Sequence, residues 1–595
     1  MQLLTHVKAL TFIKKLLLND TEHILPFVPM PQKGECPAYL GERLPRSTPE
    51  LEGVNSGVID AFLRELAADD TAGIHSVMIA RHGKVICEAG FAPYSTKKWH
   101  VTHSLCKTFT GTAIGMLVSD GVITTDEKIC DIFPEKCSFL TSKRMRSVTI
   151  EHLLTMTSGV NFREIGAVLE KDWVRAFMES DISFEPGTEM DYNSMNSYML
   201  SAIISRKTGN TLAEFLNERL FKPLGFGACT WETCPMGITK GGWGMYLFLE
   251  DALKLGQLYL QKGYWNVNGK EIAVLDKSWV LAATAQHALR NNDEEYGYQL
   301  WPNSAGNYYM FNGMFGQYVV VFPTSELIVA INAGNGHLFT KSFALDTICR
   351  HFVPSALNIS PCEKDDASAK KLRFTLDNLK FGEPVPEYID VKPHWYDNLF
   401  KIFKKPQPLP IVTLPMQAKM LYNKKLLFEN RANGILPIIL QVMCDSYGKG
   451  INSIEFAEEN AHFIMKWSEG GETLNIPLGF TDYEESIIKI NGTSWHIAAK
   501  AEFKKDEDDC NVLKIRCCFL ESSSSRLIKL VLTDSGAILK MDETPAVALA
   551  MEKLSQEQAL IRSTDAFFKD FDYIEYKVNK ICTPVLRGVF ENGAI

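Results

Sequence analysis

Apolar positions recur along this chain with two different periods, and the switch between them marks its elements. From Val58 to Leu66 they return every three to four residues, which predicts a helix. His75–Ala80 and Lys84–Glu88 are short strand-like runs, and Arg81-His82-Gly83 between them supplies a glycine-bearing turn, so a hairpin is expected. Phe109, Ala113, Ile114, Met116 and Leu117 then mark a helix apolar enough to be central. A further helix is predicted over Met195–Lys207, and strands return after residue 308. Helices inserted between separated strands of one sheet make an α+β layered fold.

Beyond about residue 356 the texture changes. The polar run Cys362–Asp366 and the proline-rich Pro406–Pro410 read as a linker over 356–410. Phe463–Trp467, Ile487–Ile490, Trp495–Ala498, Leu513–Cys517 and Leu527–Leu532 alternate or run apolar, and Asn491-Gly492 is a strong hairpin signal. Residues 411–595 are therefore expected to be a β-rich domain, a meander or small barrel of unassigned role, with one helix over Ala546–Ile561. At the other end, residues 1–50 form a leader that becomes proline-rich and extended. Leu3, Val7, Leu10, Ile13 and Leu17 stand at helical spacing within it. His6, Lys8, Lys14 and Lys15 interrupt that run and no uncharged apolar stretch with a small-residue cleavage site follows, so it does not read as a signal peptide. An amphipathic helix docked on the protein body is the expectation, with a membrane-surface helix as the alternative. No stretch of about 18 apolar residues occurs, so no spanning helix is expected and the reading places the chain in the cytoplasm. The α+β body between the leader and the linker then spans 51–355.

Composition narrows the choice of function. At 595 residues the chain exceeds what one core usually supports, so two or more domains are expected. A net charge of −9 argues against a nucleic-acid partner. The cysteines are scattered without a CxxC pair, so neither a zinc site nor a disulfide framework is expected. Cys517 and Cys518, as strand neighbours, should face opposite sides of a sheet. Oligomeric state has no signature in the sequence.

Ser104-Leu105-Cys106-Lys107 has the form SxxK. Residues three apart share a helix face, so hydroxyl and amine lie side by side. A serine hydroxyl is a poor nucleophile until a neighbour takes its proton, and a buried lysine can do so once its amine is neutral. Four other SxxK matches begin at Ser95, Ser368, Ser446 and Ser486; only Ser104 follows a hairpin and opens a long apolar helix. Cys106 should point away from such a site. His103, next to Ser104, does not face it along a helix and is read as structural. No HExxH pair and no GxSxG elbow are present.

His103–Gly111, Gly121–Ile129, Phe133–Glu135, Val148–Gly159, Asp191–Leu200, Leu220–Gly225, Gly241-Gly242 and Gly313–Tyr318 follow one another in an order that resembles the class C β-lactamase-like serine hydrolases. That family includes β-lactamases, D,D-peptidases, esterases and 6-aminohexanoate-oligomer hydrolases. The resemblance spans about residues 55–350 and implies a β-lactamase/transpeptidase-like domain, an antiparallel sheet flanked by helices plus a helical subdomain. It implies Tyr192 as the family's tyrosine, sharing proton traffic with Ser104 and Lys107. It also implies the backbone N–H groups of Ser104 and Met314 as an oxyanion hole. Ser194 stands where relatives usually carry Asn, and Asn312 where they carry Lys or His; with Gly313 these are the expected substrate-positioning residues. Lys207-Thr208-Gly209 spells the family's KTG, but Gly209 and the Thr211…Glu214 box read as a helix end and a new helix start. The counterpart of that motif is instead an edge strand carrying Phe311–Met314.

The resulting expectation is a two-step acyl transfer on a small ester or amide, with no metal and no cofactor. A β-lactamase or D,D-peptidase is the alternative, weakened by the missing cation at Asn312. An inactive hydrolase scaffold with a binding role is the second alternative.

Overall fold

The structure is a computed structural model that describes residues 2–21, 24–26, 33–291, 293–336, 342–390, 415–429, 433–459, 462–545 and 570–591. Its first helix, α1 (Gln2–Leu17), buries Phe12, Ile13 and Leu17 against Val168, Leu169, Ile438, Tyr447 and Ile574. Lys8 reaches Glu170 at 2.6 Å. The helix is docked on the protein body, as expected for apolar residues at helical spacing. No helix among the described residues is long and apolar enough to cross a membrane.

The helix α2 (Ser56–Ala68) leads into β1 (Ile74–Arg81) and β2 (Lys84–Gly90), the hairpin expected from the sequence. Then come α3 (Lys107–Ser119), α4 (Ser194–Thr208) and α5 (Leu249–Leu260). The sheet is completed by β3 (Trp301–Asn303), β4 (Tyr308–Gly313), β5 (Gln317–Phe322) and β6 (Leu327–Ala333). Strand order is β3-β4-β5-β6-β1-β2, so the first hairpin pairs with the last strand and the helices lie between them in sequence. Alternate side chains leave opposite faces of the sheet. Met78, Val319, Val321, Ile328 and Ala330 share a core with residues of α3 and α5. Val77, Ile79, Val320, Val329 and Ile331 share another with α2. Because both faces are covered, β1, β5 and β6 are buried along their whole length.

Two sequence expectations are corrected here. Strands return before residue 308: Met245–Leu247 pairs with His100–Val101, and Trp301–Asn303 joins the main sheet. They are only two or three residues long, too short to show a period. The strand carrying Phe311–Gly313 is not the edge strand, since β3 lies outside it. β3 pairs only with Tyr308–Met310, however, which leaves Phe311–Gly313 beyond its reach.

Within the stretch expected to be a linker, α6 (Asp366–Asn378) forms, capped by Asp365. It packs on α2 because Leu372 joins that core, followed by Leu379 and Phe381. The proline-rich 406–410 and the helix expected over 546–561 lie outside the described residues.

The C-terminal region, in which a short helix α7 (Ile438–Met443) packs, is built, among the described residues, on a sheet of ten strands. These are β7 (Lys424–Phe428), β8 (Ile451–Glu459), β9 (His462–Glu469), β10 (Glu472–Leu478), β11 (Glu484–Ile490), β12 (Thr493–Lys505), β13 (Asn511–Phe519), β14 (Ser525–Thr533), β15 (Gly536–Thr544) and β16 (Val585–Phe590). Their order, β10-β9-β8-β7-β16-β15-β14-β13-β12-β11, is two meanders joined through β7 and β16. Past β10, Gly479 donates to Ala499 O and accepts from Ala501 N, so the sheet curls into a nearly closed barrel. Asn491 and Gly492 take φ of 48° and 81° at the tight β11–β12 turn. Cys517 points into the barrel core with Trp467 and Trp495, whereas Cys518 packs with Ala498 and Leu520 against the core around α2. All fourteen cysteines are free thiols.

Candidate active site

Thr102 follows the short strand His100–Val101, its N–H bonded to Met245 O at 2.8 Å. The next residue, His103, takes φ of +46°, a left-handed conformation that a non-glycine residue holds only at a cost of about 1–3 kcal/mol. The kink turns the chain from strand into a 3₁₀ turn, His103–Cys106, that continues as α3. Ser104 sits on that turn, half-buried, and Lys107 is the first residue of the α-helix. All residues from Lys107 to Leu117 are buried.

Lys107 is 1% exposed. Its ammonium group, when charged, donates to Ser104 Oγ at 3.0 Å, Ser194 Oγ at 3.0 Å and Gly242 O at 2.7 Å. None of these partners carries a charge, so burial pulls the lysine down from its ordinary 10.5 to about 8. Its Nζ also lies 5.1 Å from the centre of the Tyr192 ring. The Tyr192 hydroxyl is hydrogen-bonded to Ser104, and burial pushes it above the usual phenol range. The ring stacks on Trp301 at 5.6 Å and meets Tyr296 edge-on at 6.0 Å.

Tyr192 is placed by the start of α4. Asn193 is the N-cap: its side-chain oxygen accepts from Met195 N, and its amide donates to Val160 O and Phe162 O. Asn193 is thereby committed to the fold, and Ser194, one residue on, makes the contact with the lysine. At the far end of α4, Gly209 takes φ of +76° and Thr211 and Glu214 form a capping box. The KTG triplet is a helix terminus.

Cys106 is fully buried, its thiol pushed up to about 12, and it does not supply a thiolate. His103 is buried as well, held down at about 3 by burial, and its ring bonds to Ser523. Asn312 is 5% exposed and its side-chain oxygen has no partner. Among the described residues, no group of three or more His, Cys, Asp or Glu side chains is arranged to hold a metal ion.

The end of β4 abuts the serine turn. A Cβ on Gly313 would lie 2.2 Å from Thr102 O and 3.2 Å from Leu105 N, so only glycine permits the approach. Gly313→Ala is expected to push the strand end off the turn. A shift near 1 Å at a reacting centre costs about a hundredfold, so kcat for an ester substrate should fall by that order. Steady-state kinetics on folded protein check this; an unchanged kcat refutes it.

The structure thus brings Ser104, Lys107, Tyr192 and Ser194 together, with Gly313 against the turn. The sequence did not disclose the Gly242 carbonyl as a lysine partner, nor Trp301 and Tyr296 as supports of Tyr192. Gly241-Gly242 was the signal available for the first. Nothing local pointed to Ser523, 420 residues from the histidine it touches.

Residues 59–340 match the family described as Beta-lactamase. PbpX of Bacillus subtilis (strain 168) is 26% identical over 178 residues, 28% of this chain and 42% of that protein. Esterase EstB of Burkholderia gladioli is 27% identical over 199 residues, 29% of this chain and 49% of that protein. Among solved structures, a family VIII carboxylesterase is 16% identical with a TM-score of 0.42, covering 52% of this chain and 98% of that one. The chain spans about half the length of the curated relatives it matches, from 42% to 57% for the first three. Residues 59–340 thus fit the class C β-lactamase-like serine hydrolases, to which this part of the chain is similar.

Proposed function

We propose that the protein hydrolyses a small ester or amide through an acyl-enzyme on Ser104. The observation that carries this reading is the 3.0 Å contact between Ser104 Oγ and a lysine amine that is buried without a counter-ion. An amine so placed loses its proton near neutral pH and can take one from the serine. In the acylation step Ser104 Oγ attacks the carbonyl carbon and its proton passes to Lys107. The tetrahedral oxyanion is held by the N–H groups of Ser104 and Met314. Tyr192, kept protonated by burial, gives its proton to the leaving group as the C–O or C–N bond breaks, and regains one from Lys107. Water then attacks the acyl-enzyme along the same relay in reverse, releasing the acid and restoring Ser104.

Asn312 offers the substrate a neutral amide where a carboxylate-binding relative offers a cation. Its unpartnered side-chain oxygen is an acceptor that repels a carboxylate, which supports a substrate without a negative charge at that point over a β-lactam or a peptide carboxylate. We assign this chemistry to residues 51–355 and regard residues 411–595 as a second domain.

The test is labelling of the full chain with a fluorescent fluorophosphonate, followed by mass spectrometry of the labelled peptide. Modification at Ser104, with turnover of a p-nitrophenyl ester exceeding that of nitrocefin, is the expected result. Modification elsewhere removes the assignment. Nitrocefin turned over faster than the ester would favour the β-lactamase alternative, and no reaction with any of the three would favour the inactive scaffold.

A further inference from the structure

The turn between β13 and β14 belongs to the C-terminal barrel, yet it is buried in the hydrolase body. Glu521, Ser522, Ser523 and Ser524 are each no more than 2% exposed. The Glu521 carboxylate takes hydrogen bonds from Lys33 Nζ at 2.6 Å, from the Trp99 indole and from His496 N at 3.0 Å. Its backbone oxygen accepts from Val101 N at 2.9 Å, three residues before Ser104. Gly334, just past β6, leaves room for the turn: a Cβ there would come 2.3 Å from Ser523 O. The turn is therefore seated by charge, by backbone and by shape.

At its tip Ser523 Oγ has two partners. Gln317 Nε2 donates to it at 3.2 Å, and His103 Nε2 lies 3.0 Å away. The same Gln317 Nε2 lies 2.7 Å from Ala333 O and 3.2 Å from Met314 O, so its two N–H groups serve three acceptors, with the two longer contacts sharing one hydrogen. His103 immediately precedes Ser104, and Gln317 grips the carbonyl of Met314. We propose that Ser523, supplied by the C-terminal barrel, is a positioning residue that sets the spacing between the Ser104 and Met314 N–H groups. This rests on the acyl-transfer reading above.

Physically, the need for such a tie comes from the backbone. His103 is held at φ +46°, and its ring is the handle by which that conformation is fixed. The ring stays neutral across the working pH range, and its Nδ1 has no partner. A proton on Nε2, donated to Ser523, avoids leaving a buried N–H unpaired. On the other side, Met314 lies in the turn between β4 and β5, beyond the ladder bonds, where Gln317 holds its carbonyl. Hole donors must be placed within about 0.5 Å, and two loop segments reach that tolerance only when braced. One hydroxyl braces both. On this view the barrel is part of the catalytic apparatus rather than an appendage.

The neighbouring hydroxyl provides an internal control, because Ser524 Oγ is buried in the same turn and has no partner. In the full chain, Ser523→Ala is expected to lower kcat on a p-nitrophenyl ester by about tenfold or more, from misplacement of the hole. KM should change little, and the fluorophosphonate labelling rate should fall in step with kcat. Ser524→Ala, which removes the same atom type from the same turn, is expected to keep wild-type kcat. The midpoint of the pH–rate profile should stay in place in both, since Lys107 is untouched. Should Ser523→Ala not fold, Ser523→Cys keeps the volume while weakening both hydrogen bonds, and a reduced kcat is again expected. Wild-type kcat in the folded serine-523 variant overturns the proposal, and so does an equal loss in Ser524→Ala. Hydrolysis that survives Ser104→Ala would instead remove the underlying reading, so the two failures are distinguishable.

Discussion

Ser104→Ala is expected to abolish ester hydrolysis, lowering kcat by about 10⁴–10⁶-fold, the range seen when a nucleophilic serine is removed from a working constellation. In the proposed mechanism the whole bond-making step runs through one oxygen. What survives its loss is binding and the oxyanion donors, which still leave a rate above that of water. The substitution should be well tolerated by the fold. Ser104 is only half-buried, and its hydroxyl serves Lys107 and Tyr192 rather than the core. Lys107 keeps Ser194 and the Gly242 carbonyl as partners. A melting temperature near that of wild type, combined with loss of turnover and of fluorophosphonate labelling, is the predicted pattern. Turnover within a few-fold of wild type would show that Ser104 is not the attacking group.

How much of this was legible in the sequence depends on the range of the interactions. The β1–β2 hairpin, the apolar helix after Ser104 and the Asn491-Gly492 turn were read directly, since each is encoded by residues within one element. So was the helix end at Lys207–Gly209, because a positive-φ glycine followed by a capping box is a local signal. The pairing of Ser104 with Lys107 is likewise local. Tyr192 and Gly313 come from distant segments, and no period or cap announces that they meet the serine; the ordered family resemblance alone pointed to them. The edge position assigned to Phe311–Met314 went wrong because the added strand, Trp301–Asn303, is only three residues long. The helix Asp366–Asn378 was hidden inside a charged stretch whose one deeply buried apolar residue is Leu372. The seating of the barrel against the serine turn was invisible for a different reason. Glu521 to Ser525 looks like an exposed polar turn, and only the tertiary structure buries it and gives each anchor its partner.

Lys107 makes the second large prediction, because its environment ties rate to pH. Burial lowers it from 10.5 to about 8, so below pH 8 the ammonium form dominates and cannot accept the serine proton. The rate should therefore rise with pH, about tenfold per unit below 8, and level off above it. Other groups nearby do not interfere. His103 is already neutral, at about 3, Cys106 remains a thiol up to about 12, and Tyr192 is held protonated. Lys107→Ala should lose about 10²–10⁴-fold in kcat, the range for removing a general base, and with it this rising limb. Stability should follow the same group with a defined sign. Below about 8 both folded and unfolded chains carry the proton, and the fold bears the cost of burying the charge. Between about 8 and 10.5 the unfolded chain holds the extra proton, so this contribution to stability grows as pH rises. Unfolding midpoints of wild type and Lys107→Ala, compared at pH 7 and at pH 10, should therefore shift in favour of wild type at the higher pH. A rate profile that is flat through pH 8, or that falls on approaching it from below, would mean that the buried amine is not the base.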